Sequence, residues 1–194
     1  MRLTVLCLLA FAVFFPTSRA QNVPVSEVTP LESTIKFDVE ASVPIQGTFQ
    51  KWDATLKYTS TAVESGVLDI KIYADSVDTG SGMKNGKLKG KDFFNVKEDP
   101  YITFKSTKVI QTGPDTFELD GDFTIRGVTR QEKLELKVFG KGSGSATING
   151  TMAFDRKEYG MNSGIPFIKI ANRVEVTVAL KVKHVSGPPL VFKQ

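Results

Sequence analysis

The stretch Gly90-Lys91-Asp92-Phe93-Phe94-Asn95-Val96-Lys97-Glu98-Asp99-Pro100-Tyr101-Ile102-Thr103-Phe104-Lys105-Ser106 decides how the rest of the chain is read. Two bulky aromatics, Phe93 and Phe94, stand side by side in a segment without periodicity, so at least one must be buried by something other than a simple amphipathic element. Pro100 supplies no backbone donor and marks the end of that irregular segment. Beyond it Ile102 and Phe104 alternate with Thr103 and Lys105, the period of a strand with one dry and one wet face.

The same period recurs in both directions. Ile35/Phe37/Val39/Ala41, Ala54/Leu56/Tyr58, Leu68/Ile70/Ile72/Ala74, Phe117/Leu119/Gly121/Phe123/Ile125, Leu134/Leu136/Val138 and Ile148/Gly150/Met152/Phe154 each alternate with polar neighbours. The cleanest run is Val174/Val176/Val178/Leu180/Val182. About eight one-sided strands leave open edges unless the sheet closes on itself, so the pattern predicts an all-β fold, a closed antiparallel eight-stranded barrel. Gly113-Pro114-Asp115 reads as a tight turn and Gly140-Lys141-Gly142-Ser143-Gly144 as a flexible hairpin loop. Ser81–Lys91 lacks alternation and is expected to form a short helix or ordered loop at one mouth, with Gly86 and Gly90 weakening the helix. The end from Ser186 to Gln194 is expected to dock loosely.

Arg2, the apolar run Leu3–Phe15 and the small residues Ser18 and Ala20 have the layout of a secretory signal. The run is too short to span a bilayer. Cleavage after Ala20 would leave residues 21–194 as a single domain beginning at Gln21, exported to the periplasm or secreted. Cys7, the only cysteine, would leave with the leader, so stability must come from the core without disulfides. Loss of Arg2 and Arg19 halves the formal net charge of +4, and spread charge of that size gives no reason to expect a nucleic-acid partner.

Chemistry-bearing groups are few. One histidine, His184, cannot build a metal cluster or a Ser-His-Asp site alone, and no metal is expected. It shares inward parity with its strand and also fits a strand end satisfied by a backbone carbonyl. Asp78-Thr79-Gly80-Ser81 matches the aspartic-protease motif, giving an alternative reading as a secreted aspartyl hydrolase using Asp78. Such an enzyme needs two facing carboxylates, and only one copy of the motif is present, so a turn after a strand is favoured. Asp120 and Asp122 have outward parity and read as solvated acids. Asn149-Gly150-Thr151 is a formal glycosylation sequon. No catalytic residue is assigned.

The opening stretch is similar to the Asp-Phe-Phe-Asp-Val…Pro…Ile-x-Phe-x-Ser pattern of the YceI-like family of secreted, lipocalin-shaped barrels, with Asn95 in place of the second Asp. Leu119–Arg130 resembles that family's Gly-x-Leu-Thr-Ile-Arg-Gly-Val-Thr segment, with Phe123 for Leu. Ser33–Phe37, Gly47–Phe49 and Phe154–Gly160 extend the likeness. Where many relatives carry His before a Leu, this chain has Lys87-Leu88. By parity alone the inward rings either fill the barrel or line a pocket, so a solid structural or adhesion module stays open. The resemblance implies an elongated apolar cavity that binds a polyisoprenoid or fatty-acid-like lipid as ligand, for transport or storage, with no other cofactor. The expected lining is Phe37, Ile70, Ile72, Phe93, Phe94, Phe104, Phe123, Phe154, Val176 and Val178, with Trp52 near an entrance. Lys84, Lys87, Lys91 and Arg126 form an expected basic rim for an anionic head group. A transient contact with a membrane surface and a homodimer are both compatible with such a barrel.

Overall fold

A computed structural model describes residues 22–164 and 167–193 of the chain; the expected leader, Met1–Ala20, lies outside the described residues. Among the described residues the strands are β1 (Val25–Val28), β2 (Thr34–Ala41), β3 (Ile45–Phe49), β4 (Trp52–Tyr58), β5 (Gly66–Tyr73), β6 (Val77–Asp78), β7 (Tyr101–Gln111), β8 (Thr116–Ile125), β9 (Val128–Phe139), β10 (Ser145–Asp155) and β11 (Ile170–Ser186), with one α-helix, α1 (Gly82–Lys89), before β7. Pairing runs β1-β4-β5-β7-β8-β9-β10-β11 and returns from β11 to β1, so eight antiparallel walls close a barrel. Closure turns the apolar face of each wall inward, which is why the alternation is so regular: β8 buries Phe117, Leu119, Phe123 and Ile125 and turns its polar residues outward.

Three walls are each broken in two, which the alternation did not foretell. A short turn at Pro30–Glu32 separates β1 from β2, and both pieces pair with the long β11, β1 at Val28↔Val182 and β2 at Val178↔Ile35. The kink at Gln50-Lys51 between β3 and β4 lies beside the turn Ala74–Ser76 between β5 and β6. Ser76 stitches the two: its backbone O accepts from Gln50 N at 3.1 Å and its Oγ from Lys51 N at 3.0 Å. Polar side chains that satisfy freed backbone groups let a strand bend without orphaned donors.

The helix begins at Ser81, whose Oγ accepts from Lys84 N, and ends at Gly90. It buries only Leu88, as a Gly-containing segment of low helix propensity would. It leads into Phe93 and Phe94, both buried.

The tail corrects the sequence expectation of a loose end. Val191 pairs with the 61–63 segment, its N–H donating to Thr61 O at 2.8 Å and its O accepting from Val63 N at 3.1 Å. Gln111 holds Lys193 through both backbone groups at 2.9 and 2.7 Å, and Lys193 Nζ meets Glu64 at 2.7 Å. Gly187 opens this tail at φ 87°, where a Cβ would collide with Val23 O, so only glycine makes the corner.

Candidate functional site

The barrel interior has three storeys. At the α1 end two aromatic clusters meet. Phe37, Phe49 and Phe94 pack with centroids 5.6 to 6.3 Å apart, and Phe123, Phe154 and Tyr159 at 5.1 to 5.5 Å. These tilted and edge-to-face contacts leave a gap of only about 70 Å³. Arg156, 6% exposed, closes this end: its guanidinium donates to Ala171 O and Ser163 O, both at 3.0 Å, and to Met161 O. A buried cation answered by three carbonyls ties the 161–171 connection to the wall.

The middle storey is a floor. Two inward glycines make it: a Cβ on Gly121 would sit 2.6 Å from the Phe104 ring, and one on Gly150 would sit 2.7 Å from Val178 Cγ2 and 3.2 Å from Leu134 Cδ1. The missing side chains let residues of the adjacent walls lean over these glycines, Phe104 from β7 over Gly121 on β8, and Leu134 and Val178 from β9 and β11 over Gly150 on β10. With Ile35 and Ile70 they are buried and line neither cavity.

Above the floor the barrel is hollow. A cavity of about 610 Å³ opens at the end away from α1, walled by Leu56, Leu68, Val109, Phe117, Leu119, Leu136, Ile148 and Val182. Its volume is that of a small-molecule site, which typically runs from about 300 to 1,000 Å³. The tail lies across the mouth, bringing Pro189, Leu190 and Phe192 into the lining. Phe192 packs edge-on against Phe117 at 6.2 Å, under Lys141 Nζ at 4.7 Å from its centroid.

Polar groups collect only at this mouth: Ser26, Tyr58, Ser145 and His184, with Lys141. Lys141 is engaged by Asp115 at 2.5 Å and by Pro114 O. His184 is exposed, one ring nitrogen 3.2 Å from Gly187 O, which is the strand-end arrangement rather than an inward one. The Tyr58 ring lies over Gly66, whose Cβ would be 2.9 Å from Cε1. Burial pushes its phenol up to about 12. Tyr58 lines the cavity, and among the described residues its hydroxyl has no hydrogen-bond partner, so it is free to donate to a group at the mouth.

The residues expected from the sequence to line a site fall elsewhere. Phe37, Ile72, Phe93, Phe94, Phe123, Phe154 and Val176 surround the small gap at the α1 end, while Ile70, Phe104 and Val178 are in the floor. Trp52, expected near an entrance, is 8% exposed and pairs with Ile72 in the wall. The basic rim is tied into local structure: Lys84 Nζ donates to Pro44 O at 3.1 Å, Lys87 pairs with Asp92 at 2.7 Å, and Arg126 donates to Gly160 O and to Lys91 O. The Lys87 ammonium holds the Asp92 carboxyl below its ordinary range. Asp78 sits in a turn, accepting from Gly80 N at 2.9 Å and from Asn85 at 3.3 Å, and these bonds lower its pKa.

The parity of Leu56, Leu68, Leu119 and Val182 marked them as inward but gave no sign of which end is hollow. That depends on volumes summed across eight walls. Only the glycines were a signal, since an inward Gly leaves room for a side chain of an adjacent wall to lean over it.

Fold and interior together define an up-and-down barrel that is solid at one end and apolar and hollow at the other. The chain matches the YceI-like domain model over residues 27–182 and belongs to that family. It is 34% identical to protein YceI of Escherichia coli over 98 residues, 50% of this chain and 51% of that protein. A UPF0312 protein of Pseudomonas savastanoi pv. phaseolicola is 28% identical over 127 residues, 63% of this chain and 66% of the relative. The matched stretch is thus about half to two thirds of these curated relatives. Among solved structures, Burkholderia cenocepacia BcnA superposes with a TM-score of 0.72 at 24% identity, covering 80% of this chain and 99% of that one. A polyisoprenoid binding domain from Saccharophagus degradans, implicated in plant cell wall breakdown, superposes with a TM-score of 0.67 at 17% identity, covering 84% and 99%. Both likenesses establish the fold.

Proposed function

We propose that this protein is an exported carrier or store for a long-chain amphiphilic lipid, a polyisoprenoid or similar, held in the hollow half of the barrel. The observation that carries the reading is the cavity of about 610 Å³, apolar along its walls and polar only at its mouth. An aliphatic chain in such a space gains about 0.8 kcal/mol for each methylene removed from water, so a tail supplies most of the affinity without a dedicated polar site. The mouth groups Tyr58, Ser26 and Ser145 orient the head. The polyisoprenoid binding of the Saccharophagus degradans domain, which shares the fold, supports the same ligand class. The reading assigns binding and no catalysis. Loading and unloading would take place at a membrane surface, where the tail at the mouth meets the bilayer.

The test is mass spectrometry of an organic extract of protein purified from its native host. One lipid-like species in near-stoichiometric amount is expected. Protein that carries no extractable lipid, and takes up none from vesicles, would leave a structural module as the better description.

A further inference from the structure

The solid α1 end bears on which lipids fit, and this inference rests on the lipid-binding reading above. We infer that the buried layer around Phe104, whose ring leans over Gly121 on the adjacent wall, is the floor of a length ruler that restricts the ligand to a single chain of about 20 carbons or fewer, at about 30 Å³ for each methylene-sized unit of the cavity.

The floor is continuous. Phe104 comes from β7, and Gly121 lies opposite Ser106 on the neighbouring β8, so the ring leans diagonally over the glycine. Leu134 and Val178 converge on Gly150 from the other side, and Leu134 is 1% exposed. Below them the gap of about 70 Å³ holds two or so water-sized groups and is enclosed by the two aromatic clusters. A chain entering at the tail-covered mouth meets Leu68, Leu119 and Leu136 along its length and ends where the cavity ends, above the buried layer of Phe104, Leu134 and Val178 that lines neither cavity. It cannot run through to the α1 end, since several interlocked rings would have to leave their packing together. The ligand class is therefore a fatty acyl or short prenyl amphiphile, not one with a tail twice the depth of the cavity. The head stays at the mouth beside Tyr58. Among the described residues the one lysine or arginine that lines that mouth, Lys141, is already bound to Asp115 and Pro114 O, so a head that accepts a hydrogen bond suffices and a charged one gains little.

Delipidated full-length mature protein is titrated with a ladder of straight-chain alcohols and with the long polyprenol solanesol, and retention is read by native mass spectrometry. Wild type should retain chains up to about 20 carbons and bind solanesol at least about tenfold more weakly than geranylgeraniol. Phe104→Ala should move the cut-off upward by roughly four to six carbons, the room a six-carbon ring gives up. Leu119→Phe, which points a ring into open cavity and leaves the floor packing alone, should move it down by a similar amount and decides the matter if the Phe104 variant does not fold. Solanesol bound as tightly as geranylgeraniol by wild type, or a cut-off that Leu119→Phe leaves unchanged, overturns the ruler while leaving lipid binding in place. Failure of every alcohol to bind removes the ruler and the lipid reading together.

Discussion

Tyr58 shows how much one side chain inherits from its surroundings. At the sequence level it is a strand residue of inward parity; in the fold it is a phenol desolvated at the lip of an apolar cavity, its pKa raised to about 12. An unfolded tyrosine titrates near 10, so below that pH both states keep the proton and stability is unaffected. Between pH 10 and about 12 the unfolded chain releases a proton that the folded one retains, and stability falls by about 2 to 3 kcal/mol across that window. Tyr159, buried and donating to Glu132 at 2.7 Å, is raised as well and adds to the same alkaline loss. Tyr58→Phe should flatten part of the decline in a series of thermal melts from about pH 9 to about pH 12. A wild-type curve that the variant reproduces would place the phenol in water. Arg156 makes the complementary point. Its setting in Phe154-Asp155-Arg156 says nothing of burial, yet its three carbonyl partners make it the clasp of the closed end.

Among the elements, the tail departs most from its composition. Gly187-Pro188-Pro189 has the makeup of a linker, and nothing in its own periodicity predicts docking. It docks because the mouth offers unpaired backbone at Thr61 and Val63, a Gln111 side chain able to bond both ways, and an aromatic seat for Phe192 on Phe117. The eight walls are complete at Ser186, so removing residues 187–194 should leave a folded barrel with a wider mouth. Its circular dichroism should match wild type, while release of a pre-loaded fluorescent fatty acid should quicken by about tenfold or more, equivalent to about 1.4 kcal/mol of lost cover. Equal release rates would mean that the tail is a brace for the 59–65 loop and not a cover. The helix α1 is the opposite case: the sequence placed it at a mouth, and it packs there through Leu88 and the Phe93-Phe94 pair.

For the molecule as a whole, the two ends divide stability and function. The α1 half carries the interlocked rings and the buried arginine, whereas the far half lacks packing partners along its inner walls. A ligand in that half completes a core that the chain leaves unfinished, and by mass action it stabilises the fold by about 2.7 kcal/mol at a concentration a hundredfold above its Kd. Delipidation should therefore lower the melting temperature by about 5 to 10 °C, at about 2 to 4 °C per kcal/mol for a chain of this size, and adding back a fitting alcohol should restore it. An unchanged melting temperature after verified delipidation would argue that the cavity contributes nothing to the stability of the loaded protein.

What the sequence by itself determined is the sheet and its closure. Period-two alternation in eight stretches dictates which face of each strand is dry, and that demand has few solutions besides a closed barrel. The motif Asp92-Phe93-Phe94 with Ile102-Thr103-Phe104 carried the family resemblance, which the match over residues 27–182 bears out. What only the tertiary structure decided is where the barrel is empty. Phe37, Phe104 and Leu119 are equally inward by parity. Yet the first belongs to an aromatic plug, the second to a floor and the third to a cavity wall, because each outcome depends on what the opposite walls bring to the same height. Alternation is a property of one strand, read locally; free volume is a sum over side chains from walls more than a hundred residues apart, and no local pattern encodes it.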